Sequence, residues 1–258
     1  MPQDSREFPA NALQGLLGLA YGVVAYAAFN ASVIYCIGFL ANFLVPLSID
    51  SGPTADPLWA ALIDILLLAL FGLQHSIMAR PGFKSTCLRM IPAALERSTY
   101  LVASSLALAL VLWQWHPIPA LAWHIEAEWA RICLWIVFAA GWLIALSATF
   151  MTNHFELLGL KQSYCYFRRK LCVPSEFREH SYYRWVRHPI MLGQLIGFWA
   201  TPTMTLGHLL FATVMLIYIL IGLYFEERDL LTTHGEAYRD YQKRIPKLIP
   251  RPPRNMPS

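Results

Sequence analysis

Long apolar runs separated by short polar loops restrict what this chain can fold into. The run 59–77 holds only four clearly polar residues, Asp64, Gln74, His75 and Ser76. A helix needs about 20 predominantly apolar residues to cross the hydrocarbon core of a bilayer. Over all 258 residues, 57% are apolar and 14% are charged, whereas soluble domains have roughly 45–50% and about 25%. The sequence therefore predicts an integral membrane protein, with the lipid bilayer as its surroundings.

Six segments have the length and hydropathy of membrane segments, namely residues 16–45, 58–78, 100–115, 129–151, 191–201 and 206–225. The fifth is short. We expect it to form one arm of a helical hairpin that turns at Thr201-Pro202-Thr203, because proline interrupts the helical hydrogen bonds. The predicted fold is an all-α polytopic membrane bundle with a cytoplasmic C-terminal helix and tail. Five full crossings plus the short arm, or six crossings, both satisfy the pattern.

The chain is expected to form a single domain with four parts. Residues 11–151 would carry four membrane helices, 152–188 a cytoplasmic loop, and 189–250 the hairpin and C-terminal helix. The proline-rich tail 251–258 is expected to be disordered or an extended strap.

Loop charge predicts the orientation, because cytoplasmic loops accumulate lysine and arginine. The connections 80–98 and 152–187 are rich in both, whereas the intervening loops carry Asp50 and Asp56, or Glu126 and Glu128. Both termini are therefore predicted to lie in the cytoplasm, at a bacterial inner membrane. This topology also explains the net charge of +4, so a nucleic-acid partner is not expected. The sequence indicates no obligate protein partner.

Several other classes of protein lack support in the sequence. The first residues carry acids beside Arg6 and lack the strongly basic start of a removable signal peptide. The five cysteines imply no disulfide framework. Cys165, Cys172, His180 and His188 are separated by six, seven and seven residues, without the short pairs typical of a zinc site, so no metal is predicted. A glycine-rich phosphate loop and a serine-nucleophile elbow are also missing.

The segment around Arg187 combines a cation, an imidazole and a helix-starting proline. Arg187, His188 and Pro189 directly precede an apolar helix that carries Gly193 one turn later. A helix N-terminus of this kind binds anions, and a glycine lets a flat group approach the backbone. The segment is equally typical of a basic anchor at the membrane interface.

Two adjacent acids follow at the end of the next apolar run. Glu226 and Glu227 lie where the helix dipole disfavours negative charge, and ionisable groups at membrane depth are commonly functional. A solvated helix end is the alternative. Tyr238 and Tyr241 follow on a short helix, either as an aromatic cover over a bound group or as interfacial tyrosines.

The ordered set Arg187-His188-Pro189-x-x-x-Gly193, Glu226-Glu227 and Gly235-x-x-Tyr238-x-x-Tyr241 resembles the isoprenylcysteine carboxyl methyltransferase and phospholipid methyltransferase superfamily. The resemblance implies an S-adenosylmethionine site lined by His188, Gly193, Glu226 and Glu227. Met191 departs from the prenyl-cysteine enzymes, which usually have tyrosine there.

A second signature runs from Thr152 to Gln162 and includes Asn153, His154 and Phe155. With residues 74–81, it is similar to the methanethiol S-methyltransferase branch, which is related to NnrU-like membrane proteins, and Met191 fits that branch. This resemblance implies methyl transfer from S-adenosylmethionine to the sulfur of methanethiol, giving dimethyl sulfide. The alternatives are methylation of a lipid or a prenylated cysteine carboxylate, and an NnrU-like protein without catalysis.

Thiol methylation suggests a role for each of the polar residues. A small alkyl thiol is at least as weak an acid as cysteine, with a pKa of about 8.5, so it needs a base or a nearby positive charge. His154 is the first candidate base and His75 the second. Glu226 or Glu227 would bind the cofactor's amino group or ribose. The candidates for the remaining contacts are Arg187, His188 and Arg244 for the cofactor carboxylate, Tyr238 as a cover, and Asn153, Phe155, Gln74 and Trp199 for the substrate.

Overall fold

The computed structural model describes residues 8–87, 90–173 and 181–250. His180 and the tail 251–258, for which we made predictions, lie outside these ranges. Within them, five helices are long and apolar enough to cross a membrane: Ala12–Ala41, Pro57–Ala79, Ala93–Gln114, Glu128–Met151 and Leu206–Thr233. The prediction of an all-α, polytopic membrane protein is confirmed.

The helices and strands follow one another along the chain as α1 (Ala12–Ala41), α2 (Pro57–Ala79), α3 (Pro81–Cys87), α4 (Ala93–Gln114), β1 (Leu121–His124), α5 (Glu128–Met151), α6 (His154–Leu157), α7 (Leu160–Phe167), the 3-10 turn Ser181–Arg184, α8 (Pro189–Trp199), β2 (Thr203–Thr205) and α9 (Leu206–Arg244).

The fifth apolar segment is the short helix α8. Its 11 residues extend about 16 Å at 1.5 Å per residue, roughly half of a 30 Å hydrocarbon core. The structure therefore agrees with five crossings plus a short arm. After the turn at Pro202, β2 pairs antiparallel with β1, a small ladder that the apolar pattern did not predict.

Of the helix boundaries that differ from the sequence prediction, three have a local reason. Helix α1 ends at Ala41 because Asn42 adopts a left-handed conformation with φ 53°. Helix α4 begins at Ala93, before the predicted apolar segment, because the four consecutive polar residues 96–99 kept its first two turns outside the hydropathy window. Helix α9 continues to Arg244, well beyond the apolar run, with a break at Gly235 where φ is 56°.

The described residues of Met1–Ile118 and Asn153–Ser175 form one compact unit. In it, α1 packs against α4 and α7, and α2 packs against α4. Gly22 of α1 permits the close approach of α7, because a Cβ at this position would collide with the Ser163 side chain. Ser163 is buried and its hydroxyl lies 3.1 Å from that of Ser98 on α4. The contact thus joins three helices.

The described residues of Pro119–Thr152 and Glu176–Ser258 form a second compact unit. Its main contact is between α5 and α8, where Gly141 and Gly193 bring the two backbones together. Small residues at such crossings are common between membrane helices. Phe198 of α8 also packs edge-to-face against Trp142 and Phe211. This packing fixes the position of α8, whose first residues carry the predicted cofactor motif. Assignment of the whole chain to one domain stays a prediction.

Candidate functional site

A cluster of charged side chains surrounds Glu227 in the second unit. We call Arg187, His188, Glu227 and Lys247 the Glu227 cluster. His188 caps the N-terminus of α8 and Pro189 is its first residue, while Glu227 lies on α9. The backbone N–H groups of Arg187 and His188 donate to the carbonyls of Pro246 and Lys247 at 2.9 and 3.2 Å. These bonds hold the chain after α9 against the start of α8.

Glu227 is contacted by each of the other three side chains in the cluster. Arg187 Nε and Nη2 lie 2.8 and 2.7 Å from its Oε1. His188 Nε2 lies 3.2 Å from the same oxygen, and Lys247 Nζ lies 2.9 Å from Oε2. The Glu227 side chain is only 10% exposed. Since both of its oxygens are engaged by the protein, Glu227 organises the cluster.

The Arg187 side chain contacts the end of α9 as well as Glu227. Besides Glu227, its guanidinium donates through Nη1 to the carbonyls of Gln242 and Ile245 at 2.9 and 2.7 Å. These carbonyls belong to the C-terminal end of α9, where the last acceptors have no intrahelical donors. Arg187 therefore binds the end of α9 and the Glu227 carboxylate together, which favours an organising role over direct contact with a cofactor carboxylate.

Glu226 differs from its neighbour. Its side chain is 49% exposed, and its Oε2 lies 3.7 Å from His188 Nδ1, beyond hydrogen-bonding distance. Adjacent helical residues point about 100° apart, so one acid enters the cluster and the other lies at its edge. Glu226 thus offers a carboxylate that can accept from a bound molecule.

Tyr238 brings a buried hydroxyl to the same region. It is 2% exposed, and within the described ranges its hydroxyl oxygen has no hydrogen-bond partner. Burial and the nearby negative charge of Glu227 raise the pKa of Tyr238 to about 12, so the phenol stays protonated at neutral pH. Its ring packs against Tyr241 at 5.8 Å, and Tyr241 donates to the Tyr183 carbonyl at 2.6 Å.

The other predicted cofactor and substrate residues of this unit are Gly193, Arg244 and Trp199. Gly193 serves the close contact of α8 with α5, because an added Cβ would collide with Gly141 and Ala145. Arg244 is exposed at the end of α9. Trp199 lies at the far end of α8, about 15 Å along the helix from Pro189 at 1.5 Å per residue. The structure does not bring Trp199 to the Glu227 cluster.

His154 is the centre of the polar site in the first unit. It begins α6, is 4% exposed, and its Nε2 lies 2.9 Å from the Tyr26 hydroxyl. The Tyr26 and Phe155 rings both pack edge-on against the imidazole, at 5.6 and 5.4 Å. Burial lowers the pKa of His154 below its usual 6.5. The ring is consequently neutral at pH 7, the form that a general base requires.

A turn built on Asn153 presents His154. Asn153 has a left-handed backbone with φ 67°, and its side chain donates to Glu156 at 3.2 Å. Glu156 also binds Lys161 Nζ at 2.7 Å. Phe155 is 49% exposed, so about half of its apolar surface is accessible. Asn153 therefore shapes the turn, while Phe155 is available for an alkyl contact.

His75 and Gln74 lie on α2 in the same unit. Both ring nitrogens of His75 are engaged, Nδ1 with Ser104 at 3.1 Å and Nε2 with Tyr100 at 2.7 Å. Gln74 donates to the Met78 sulfur at 3.0 Å, and its buried oxygen lacks a partner in the part of the chain that the structure describes. His75 ties α2 to α4, which makes His154 the better candidate base.

Arg97 connects the two histidine sites. Its guanidinium lies over the Tyr100 ring at 5.3 Å, and its Nε donates to the Leu157 carbonyl of α6 at 2.7 Å. Tyr26, Tyr100 and Lys247 were not singled out from the sequence. The tyrosines had no sequence signal, because their partners are 25 or more residues away.

Metal binding finds no geometric support in the described ranges, where no group of three His, Cys, Asp or Glu residues could hold an ion. His180 lies outside those ranges.

Comparisons with known proteins agree with the resemblance seen in the motifs. The family model described as "NnrU protein" matches residues 63–247. A methanethiol S-methyltransferase of Crocosphaera subtropica is 47% identical, covering 90% of this chain and 91% of the relative. One from Mycobacterium tuberculosis is 46% identical, covering 93% and 98%. Nurim of Sus scrofa is 30% identical, covering 74% and 79%. No solved structure matches. Since the family model covers more than half of the sequence, the chain belongs to the NnrU protein family.

Proposed function

We propose that the protein transfers a methyl group from S-adenosylmethionine to the sulfur of methanethiol, giving dimethyl sulfide and S-adenosylhomocysteine. The observation that carries the choice of substrate is the 46–47% identity to relatives named methanethiol S-methyltransferase, over 90% or more of the chain. The Glu227 cluster supports the choice of cofactor, and His154 supports the chemistry at sulfur.

The residues of the second unit suit a cofactor that has an amino group and hydroxyls. Glu226 supplies a half-exposed carboxylate for charge-assisted hydrogen bonds to such donors. Tyr238 supplies a buried hydroxyl that lacks a partner among the described residues, and a bound polar group would satisfy it. Arg187 and Lys247 hold Glu227, which leaves Glu226 as the acid that meets the cofactor. When bound, S-adenosylmethionine supplies an electrophilic methyl group on a cationic sulfur.

The residues of the first unit suit deprotonation of a small thiol. Only about 3% of a thiol with a pKa of 8.5 is ionised at pH 7, and the thiolate is the nucleophile. In the proposed step, neutral His154 would accept the thiol proton, which would leave the thiolate as the nucleophile for the methyl group that S-adenosylmethionine would supply. Tyr26 holds the imidazole, and Phe155 contacts the alkyl group.

We also propose that the protein lies in a bacterial inner membrane with both termini in the cytoplasm. Support comes from the excess of lysine and arginine in the loops 80–98 and 152–187. A cysteine introduced after α1, for example Ser51→Cys, should react with an impermeant maleimide from outside intact spheroplasts. Reaction only after lysis would overturn the orientation.

The central experiment supplies membranes that contain the protein with methanethiol and S-adenosylmethionine, and measures dimethyl sulfide in the headspace. We expect the sulfide to appear with wild-type protein and to fall strongly with His154→Ala, with little change in S-adenosylhomocysteine binding. Membranes without the protein provide the blank.

Binding of S-adenosylhomocysteine separates the alternatives. A folded protein that binds it but forms no dimethyl sulfide would refute the substrate, and labelled lipid or protein would then favour a larger acceptor. Absence of binding would refute the methyltransferase proposal and favour a non-catalytic NnrU-like protein.

A further inference from the structure

Two cysteines meet where the chain reverses after α7. Helix α7 carries Cys165 and ends at Phe167. Arg169 then adopts a left-handed conformation with φ 51°, and the N–H of Lys170 returns to the Cys165 carbonyl at 2.9 Å. The following residues run back along the helix, so that Cys172 faces Cys165.

The return segment is fixed by a second contact. Lys161, one helical turn before Cys165, donates from Nζ to the Val173 carbonyl at 2.9 Å. The thiols of Cys165 and Cys172 are hydrogen-bonded to each other between these two anchors. Both cysteines are partly exposed, so small solutes reach them.

The surroundings distinguish the two thiols. Burial and the neighbouring Cys165 raise the pKa of Cys172 to about 11, which keeps Cys172 protonated as the hydrogen-bond donor. Lys161 lies one helical turn before Cys165, and the nearby cysteines contribute to the raised pKa of its ammonium, after the larger effect of its bond to Glu156. Because Cys172 is the donor, Cys165 is the attacking sulfur and Cys172 the resolving one.

We infer that Cys165 and Cys172 form a reversible dithiol–disulfide pair that reacts with small dialkyl disulfides. The inference is independent of the proposed methyl transfer. The inferred pair is distinct from the structural disulfide framework that the sequence does not predict. Both thiols are reduced in the structure, and they form a disulfide only by exchange.

The proposed thiol–disulfide exchange has two steps. The Cys165 thiolate attacks one sulfur of the disulfide RSSR, forms the mixed disulfide Cys165–S–S–R, and releases RS⁻. Cys172 then loses its proton to water and attacks the Cys165 sulfur, which expels the second RS⁻. The protein loses two electrons and the disulfide gains them, yielding two thiols after protonation.

Closure requires the two sulfurs to approach to about 2.05 Å. Cys172 lies outside regular secondary structure, so its side chain can turn without breaking helical hydrogen bonds. The other cysteines with described side chains differ: Cys36 is buried in α1, and Cys133 is exposed on α5.

Trypsin places the two cysteines on different peptides, because its cleavage sites Arg168, Arg169 and Lys170 lie between them. A disulfide between the cysteines can therefore be detected as two joined peptides. Full-length protein in membranes would be treated with dimethyl disulfide, quenched with acid and N-ethylmaleimide, and digested without reductant. We expect peptides 162–168 and 171–178 to appear joined by a disulfide, and to separate after treatment with dithiothreitol. Recovery of both peptides as independent maleimide adducts, or only as methylthio adducts, would overturn the inference.

Single substitutions test the order of attack. Cys172→Ser should accumulate the methylthio adduct on Cys165, since no resolving thiol is present. Cys165→Ser should modify Cys172 at least tenfold more slowly, because Cys172 is then a protonated thiol without its partner. Equal rates in the two variants would refute the assignment of Cys165 as the attacking sulfur. Cys133→Ser is the matched control and should leave the joined peptides unchanged.

Discussion

Replacing Glu227 by glutamine is the sharpest test of how the cofactor site is organised. The glutamine keeps the size of the side chain but removes the charge that Arg187 and Lys247 share. Its amide nitrogen also donates, so one of these cations would face another donor. We therefore expect Glu227→Gln to destabilise the protein, whereas Glu226→Gln should leave the fold intact.

The magnitudes follow from burial. Removing one partner of a buried ion pair costs about 3–5 kcal/mol, and the Glu227 side chain is 10% exposed. At about 2–4 °C per kcal/mol, the melting temperature should fall by about 6–20 °C. The Glu226 side chain is 49% exposed, and an exposed pair contributes about 0–1 kcal/mol. If Glu226 binds the cofactor through a charged hydrogen bond of about 1.5–3 kcal/mol, its loss should weaken S-adenosylhomocysteine binding by about ten- to hundredfold.

The assay is thermal unfolding of the purified protein in detergent, combined with calorimetric binding of S-adenosylhomocysteine. Glu236→Gln provides the control, because Glu236 is an exposed acid on the same helix and pairs with Arg239. It should change neither quantity. A Glu227→Gln protein as stable as wild type, or a Glu226→Gln protein with unchanged affinity, would refute the division of roles between the two acids.

Three further predictions use other parts of the structure. The pKa of His154 is lowered by burial. The stability and the activity that depend on its neutral ring should therefore be present at pH 6.5 and above, and both should be lost as the pH falls through the pKa of His154 in the folded protein. A pH profile that is unchanged in His154→Gln would contradict this. Gly193→Ala should cost about 1–3 kcal/mol through overpacking against α5, whereas Gly222→Ala, with open space around its Cβ, should be neutral or stabilising in thermal unfolding. Tyr238→Phe should keep the stability of the ligand-free protein, since the hydroxyl has no partner among the described residues, and weaken S-adenosylhomocysteine binding by about two- to tenfold; unchanged affinity would remove Tyr238 from the site.

The apolar pattern was sufficient to predict the membrane helices and the short fifth arm. The number of consecutive apolar residues is a local property of the sequence, so each membrane helix can be predicted from its own segment alone. The pattern failed where polar residues extend a helix, as in the first two turns of α4 and the last part of α9. It also missed β1 and β2, since their pairing joins segments about 80 residues apart.

Side-chain pairing was less accessible from the sequence. The motif around Arg187 offered this residue as a candidate for the cofactor carboxylate, whereas the structure engages it with Glu227 and two backbone carbonyls. Likewise, His75 was the second candidate base after His154, and the structure shows that both of its ring nitrogens are occupied. Such roles depend on contacts between residues that are distant in the sequence. One sequence read by itself does not reveal these contacts.

Glu226 and Glu227 are adjacent residues of one type, but their surroundings suit them to different functions. A carboxylate that binds a cofactor at a membrane surface must keep a fixed position while one side remains open to the ligand. Glu227 cannot do this, because the side chains of Arg187, His188 and Lys247 already surround it. It can, however, fix His188, whose other ring nitrogen is directed toward Glu226 at 3.7 Å. In the proposed site, the 100° step between consecutive helical residues would therefore let α9 supply an organising acid and a binding acid with a single motif, because the acid that is enclosed by the protein is not open to a ligand.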